Sequence, residues 1–202
     1  MNSKIKNIII AVVVLWAVAG VVVIAIKASN KKSVENNATS SESVYDSYGS
    51  WVDYSPTPAR FSAMFPVYPT EEKQKLDSSN TEFESDYYSY IAKDAGGSVF
   101  ILNESVYSKN VNMSAPEKNL KSALNTMVDS DENNELVTSE DLTLGNNKAL
   151  DFFINNSSLG LSMRGRFILV KEKRTMYQLL YVSKESGSET DFKKFSGSFV
   201  AK

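Results

Sequence analysis

Five cations crowd a short stretch late in the chain: Arg164, Arg166, Lys171, Lys173 and Arg174. Arg164 and Arg166 stand with Ser162 on one side of a run whose other side is Leu161, Met163, Gly165, Phe167 and Leu169. Alternation at every second residue is the signature of a strand. Lys171 to Arg174 then reads as the tip of a hairpin that Met176 to Ser183 completes. A guanidinium presents its N–H groups as a planar fork suited to carboxylate or phosphate. The five are therefore candidate contacts to an anionic partner such as lipid headgroups, an envelope polymer or an acidic protein. An ordinary solvated strand face, balanced in part by Glu172, accounts for the same residues.

A second candidate is acidic. Asp129, Asp131, Asn133 and Glu140 fall at the first, third, fifth and twelfth positions of a calcium-loop spacing, with Leu136 at the eighth. Asn134 stands where that loop carries glycine, and asparagine tolerates left-handed backbone. A helix is expected before it, but Asp141 to Gly145 reads as a strand after it, and a solvated acidic loop explains the residues as well. Tyr87, Tyr88 and Tyr90, with Tyr68, are candidates for an aromatic binding surface or for cross-strand packing. A paired-carboxylate hydrolase would draw on acids such as Asp86, Asp94 and Asp151, since two carboxyls need only stand about 5–10 Å apart in space. No spacing singles these three out.

Neither histidine nor cysteine occurs in the 202 residues. That excludes a Ser-His-Asp triad, a thiol nucleophile, a thiolate metal site, an ordinary zinc site, disulfides and lipid attachment through cysteine. The net charge of −2 argues against a nucleic-acid binder, which should carry a basic excess. The chain is read as non-enzymatic, with no catalytic residue, cofactor or metal ligand assigned. A small-ligand or calcium-binding receptor is the alternative.

The elements that position these residues follow a segment of another kind. Residues 8–26 read IIIAVVVLWAVAGVVVIAI, with no charge and no strongly polar group. As a helix this run spans roughly 28 Å, close to the hydrocarbon thickness of a bilayer. Lys4 and Lys6 precede it, and Lys27, Lys31 and Lys32 follow. Ala17-Val18-Ala19 has signal-cleavage spacing but sits inside the apolar run, so an uncleaved anchor is expected. Flanking charge barely discriminates orientation, and a cytoplasmic N-terminus with an extracytoplasmic domain is favoured. Residues 1–7 are then a short tail. Residues 27–50, rich in Ser, Asn, Lys and Glu, are a disordered tether.

Residues 51–202 are the size of one domain. Strands are expected over Trp51–Tyr54, Arg60–Phe65, residues 82–93 and Ser98–Tyr107, with a hairpin turn at Ala95-Gly96-Gly97. Ser114-Ala115-Pro116-Glu117 reads as a capping box, and Leu120, Ala123, Leu124, Met127 and Val128 recur at helical spacing behind it. After Asn133-Asn134 the period returns to two, through Leu142 and Leu144, a turn at Gly145-Asn146-Asn147, and Leu150, Phe152 and Ile154. A helix over Ser188 to Val200, lined by Phe192, Phe195 and Phe199, closes the chain. The expected class is α+β, an antiparallel sheet of six to eight strands flanked by about two helices, preceded by one N-terminal transmembrane helix.

The order of these signals resembles the PsbP-like domain family. Phe61-Ser62-Ala63-Met64-Phe65-Pro66 with Tyr68-Pro69-Thr70 is similar to its opening. So are Leu144-Gly145 with Ala149 and Phe153, Arg164-x-Arg166-Phe167-x-Leu169-Val170 with Met176-Tyr177-x-Leu179, and the closing Phe195-Ser196-Gly197-Ser198-Phe199. The resemblance covers roughly residues 51–200. It implies an α-β-α sandwich and a non-catalytic role, since one member is an extrinsic subunit of photosystem II, another binds the small GTPase Ran, and many bacterial members are anchored or secreted. The motif residues are turn and core positions in that family. The reading is thus a single-pass, membrane-anchored, extracytoplasmic accessory or binding domain, with a protein or envelope-polymer partner and no nucleic acid.

Overall fold

The computed structural model describes residues 51–76, 85–184 and 188–202. The apolar run 8–26, the tether 27–50 and residues 82–84 of the expected strand 82–93 lie outside them. Among the described residues no helix is long and apolar enough to cross a membrane. The chain makes β1 (Val52–Tyr54), β2 (Phe61–Phe65), β3 (Thr70–Leu76), β4 (Ser85–Lys93) and β5 (Val99–Tyr107), then α1 (Pro116–Val128). There follow β6 (Asn134–Leu144), β7 (Asn147–Asn156), β8 (Leu161–Val170), β9 (Thr175–Lys184), α2 (Glu189–Gly197) and β10 (Val200–Ala201). The class is α+β.

All strand pairs are antiparallel, in two sheets. The large one has seven strands in the order β3-β4-β5-β9-β8-β7-β6, and the small one has three, β1-β2-β10. The expected single sheet is thus divided, because β1 and β2 form a layer of their own. β3 was not legible as a strand. Its sequence, TEEKQKL, has no apolar alternation, and it needs none at the edge of a sheet.

The period-two pattern places each side chain on one of two faces. Leu150, Phe152 and Ile154 of β7 and Phe167 and Leu169 of β8 pack with Leu120, Ala123, Leu124 and Met127 of α1. On this face the Phe152 ring lies against Gly165, where a Cβ would come within 2.1 Å of it. On the opposite face, Phe100, Leu102, Tyr177, Leu179 and Tyr181 pack with Phe61 and Phe65 of the small sheet and with Phe192 and Phe195 of α2. Phe65 meets Phe195 at 5.1 Å between ring centroids, and Trp51 meets Phe100 edge-on at 5.3 Å. Each fully buried phenylalanine contributes about 1.5–3 kcal/mol by leaving water, so this cluster is the main adhesive between the layers.

Two helix ends differ from expectation. The N-cap of α1 is Ala115, with Pro116 in the first turn and no side-chain cap, so the capping box does not form. Proline disfavours helical backbone at the residue before it, which moves Ser114 outside the helix. Ser114 instead donates its amide to Asn112 Oδ1. The closing helix stops at Gly197, and Val200 and Ala201 pair with Ser62 and Phe61. Ser188 does cap α2, accepting from the Asp191 amide at 3.1 Å.

One charge is deeply placed. Glu104, in the middle of β5, is 1% exposed. Arg60, just before β2, donates through Nε to its Oε2 at 2.7 Å and through Nη2 to Tyr90 Oη at 2.5 Å. Tyr177 Oη donates to Glu104 Oε1 at 3.3 Å. Burial pushes the Glu104 carboxyl above its ordinary range, against the opposing pull of Arg60. A carboxyl whose folded value is raised favours the fold below its unfolded value and stops doing so as pH rises through the folded one. Removing Arg60 widens that gap. Arg60→Ala is expected to destabilise the chain by about 3–5 kcal/mol near neutral pH. The deficit should shrink toward about pH 4.5, where Glu104 can take up a proton. Urea unfolding of parent and variant at the two pH values measures both; an equal deficit at both would show that Glu104 is not the group left stranded.

Candidate functional site

The turn at Ser157–Gly160 sets the register of the β7–β8 hairpin, with Asn156 opposite Leu161. It follows that Phe153 faces Arg164 and Asp151 faces Arg166. β6 adds Thr138 opposite Phe153 and Glu140 opposite Asp151. Two rows therefore run across this face of the sheet, Thr138–Phe153–Arg164 and Glu140–Asp151–Arg166. The first turn of α2 closes over them with Glu189, Phe192 and Lys193, and the space between is a groove of about 640 Å³.

The chain has four arginines, and three are committed to the fold. Arg60 holds Glu104. Arg166 grips Asp151 with both arms of its fork, Nε to Oδ1 at 2.6 Å and Nη2 to Oδ2 at 2.7 Å, and reaches the Ser196 carbonyl at 3.3 Å. Arg174 sits in the β8–β9 turn at φ +53° and turns away from solvent. Its Nε and Nη2 donate to the Ser108 carbonyl at 2.9 and 2.5 Å, and Nη2 also reaches the Val111 carbonyl.

Arg164 is different. Its guanidinium lies 4.3 Å over the Phe153 ring, and its Nε is buried with no hydrogen-bond partner among the described residues. A cation over a ring is attracted by about 0.5–2 kcal/mol, but its in-plane N–H groups stay unsatisfied. Glu189, an acid within its electrostatic reach, is already engaged: it pairs with Lys193 at 2.5 Å. Its carboxyl is held below the ordinary range by Lys193, with a smaller contribution from Arg164. A flat guanidinium with no hydrogen-bonded partner, on an aromatic platform in a groove, is shaped to receive a carboxylate or similar oxyanion edge-on.

The five cations read from the sequence are thus not one surface. Arg164 and Arg166 share the groove, but Arg166 is closed by Asp151. Lys171 and Lys173 are exposed in the turn beyond β8, about 16 Å along the strand from Arg166. Arg174 braces the 108–111 loop. Counting outward from the 157–160 turn would have separated Arg164 from Arg166, since only one of them meets an acid across the strands.

The other candidates disperse as well. Asp131 Oδ1 accepts from the Asn133 amide at 2.8 Å and from Asn133 Nδ2 at 2.9 Å. These bonds hold its carboxyl below the usual range. β6 starts at Asn134 and carries Glu140 away to stand opposite Asp151, so the twelfth position does not return to the first. No cluster of three or more acids suited to a metal occurs among the described residues. Tyr68 is exposed on a loop, and Tyr88 lies under Arg60 and Lys73. Tyr87 and Tyr90 are buried on opposite faces, with hydroxyls that burial pushes well above their ordinary value. Asp94 accepts from the Ser98 amide in the β4–β5 turn, Asp86 lies on β4, and Asp151 belongs to Arg166.

No protein-family model matches the chain, and no curated protein does.

The two groove arginines should separate in a stability measurement. Arg166→Ala strands a partly buried Asp151 and is expected to cost about 1–3 kcal/mol. Arg164→Ala leaves no polar group unpaired and should stay within about 1 kcal/mol of the parent. Urea midpoints of the two variants test this, and equal losses would mean that Arg164 is a structural residue.

Proposed function

We propose that this chain is a single-pass, membrane-tethered, non-catalytic domain of PsbP-like fold that captures an anionic group of an envelope partner outside the cell membrane, with Arg164 as the contact. The observation that carries the reading is that, among the described residues, Arg164 is the one arginine of the four whose fork has no hydrogen-bond partner, on Phe153 and in a groove. The anchor rests on the uncharged run 8–26, and the tether on the Ser-, Asn-, Lys- and Glu-rich composition of residues 27–50. The PsbP-like fold is supported by a helix on each face of an antiparallel sheet. Several residues of the resemblance fall where such a fold needs turns and core: Phe61–Phe65 in β2, Gly145 in the β6–β7 turn just after Leu144 and Phe195–Gly197 at the end of α2.

Four arginine Nε–H signals are expected in the spectrum of the full chain in detergent micelles. Titration with acetate should move the Arg164 signal and leave Arg60, Arg166 and Arg174 in place. Four unmoved signals, or four moving alike, would overturn the assignment. Protease added to intact cells should remove residues 51–202, and cleavage only after lysis would place the domain inside.

A further inference from the structure

Three acids and three cations line the groove: Glu140, Asp151 and Glu189, with Arg164, Arg166 and Lys193. Two pairs are closed, Arg166 with Asp151 and Lys193 with Glu189. What remains is one open cation and one open anion. Glu140 is exposed on the edge strand β6 and has no ion pair or hydrogen bond among the described residues. Its cross-strand neighbour Asp151 is already neutralised by Arg166.

Arg164 and Glu140 do not neutralise each other, and the ladder explains why. They stand two strands apart and two residues out of step. At strand spacings of about 4.8 Å and a rise of about 3.3 Å, their Cα atoms lie roughly 12 Å apart. Phe153 and the closed Asp151–Arg166 pair occupy the ground between them, and Phe192 stands above.

Resting on the reading of Arg164 as a carboxylate contact, we propose that the groove binds a short zwitterionic peptide, its terminal carboxylate on Arg164 and its terminal ammonium on Glu140. Two residues in extended form separate the terminal charges by about 5–7 Å, which fits side chains reaching inward from both poles. Phe153 and Phe192 offer apolar surface to what lies between. The groove volume is within the range of small-molecule sites. A purely anionic ligand would bring its far end against Glu140, and a purely cationic one would bring it against Arg164. The open pair selects for opposite charges at the two ends.

The test uses the full chain in detergent micelles and three probes: alanyl-alanine, its N-acetyl form and its C-terminal amide, each followed by the Arg164 Nε–H signal. Alanyl-alanine should bind about five- to ten-fold more tightly than the N-acetyl form, and the amide should not bind measurably. Glu140→Gln should abolish the difference between the free and N-acetyl peptides, chiefly by weakening the binding of the free one. Glu140 is exposed, so the variant should keep the parent's unfolding midpoint, which is checked alongside. Equal binding of the free and N-acetyl peptides by the parent overturns the zwitterionic site and leaves Arg164 as a carboxylate contact. No shift with either peptide overturns both readings.

Discussion

A carboxylate buried on β5, in the interior of the large sheet, is the constraint on which the rest of the structure depends. Glu104 is out of water, and an isolated charge there would cost several kcal/mol. The chain meets this by bringing Arg60 from outside the large sheet, with Tyr90 and Tyr177 completing the hydrogen bonds. Arg60 immediately precedes β2, so its pairing fixes where the small sheet lies. Phe61, Phe65 and Phe199 then pack into the aromatic cluster around it. The small sheet covers the middle of that face. Over Thr138–Glu140, Asp151–Phe153 and Arg164–Arg166 lies the start of α2, and the groove is the space between them.

The same economy of charge decides which residues are free to act. An arginine that holds a buried carboxylate or a row of loop carbonyls has used its fork. Arg60, Arg166 and Arg174 have each done so in a different part of the domain. Arg164 is placed by the same ladder but meets a phenylalanine across the strands where Arg166 meets an acid. One change of partner turns a structural cation into a candidate binding group. On β6, Glu140 is left open for a matching reason, because the cation that would serve it is held by Asp151.

Much of this was legible in the sequence, for identifiable reasons. β7 and the first part of β8 alternate because one face packs on α1 while the other carries Asp151, Phe153, Arg164 and Arg166, whereas β9, covered on both faces, is apolar almost throughout; the α1 stripe is regular over Leu120 to Met127. β3 was hidden because an edge strand of charged residues carries no periodicity. The capping box gave way to Pro116, whose restriction on Ala115 outweighs the Ser114 hydroxyl. The candidate site was half legible. Spacing located Arg164 and Arg166 on one face, but grouped them with Lys171, Lys173 and Arg174. Only register distinguishes the first two, and only a left-handed turn residue explains why Arg174 points back at carbonyls.

The central claim is that one arginine fork is open while three are closed. The most direct measurement is rotation about the guanidinium Cζ–N bonds, read from the Nη signals of the full chain at low temperature without ligand. Arg60, Arg166 and Arg174 should show separate, slowly exchanging Nη groups, because their hydrogen bonds hold the plane fixed. Arg164 should show a single averaged signal, lost in Arg164→Ala. An Arg164 whose Nη groups are as well resolved as those of the other three would mean that a partner already holds it, and the account of the groove would fail.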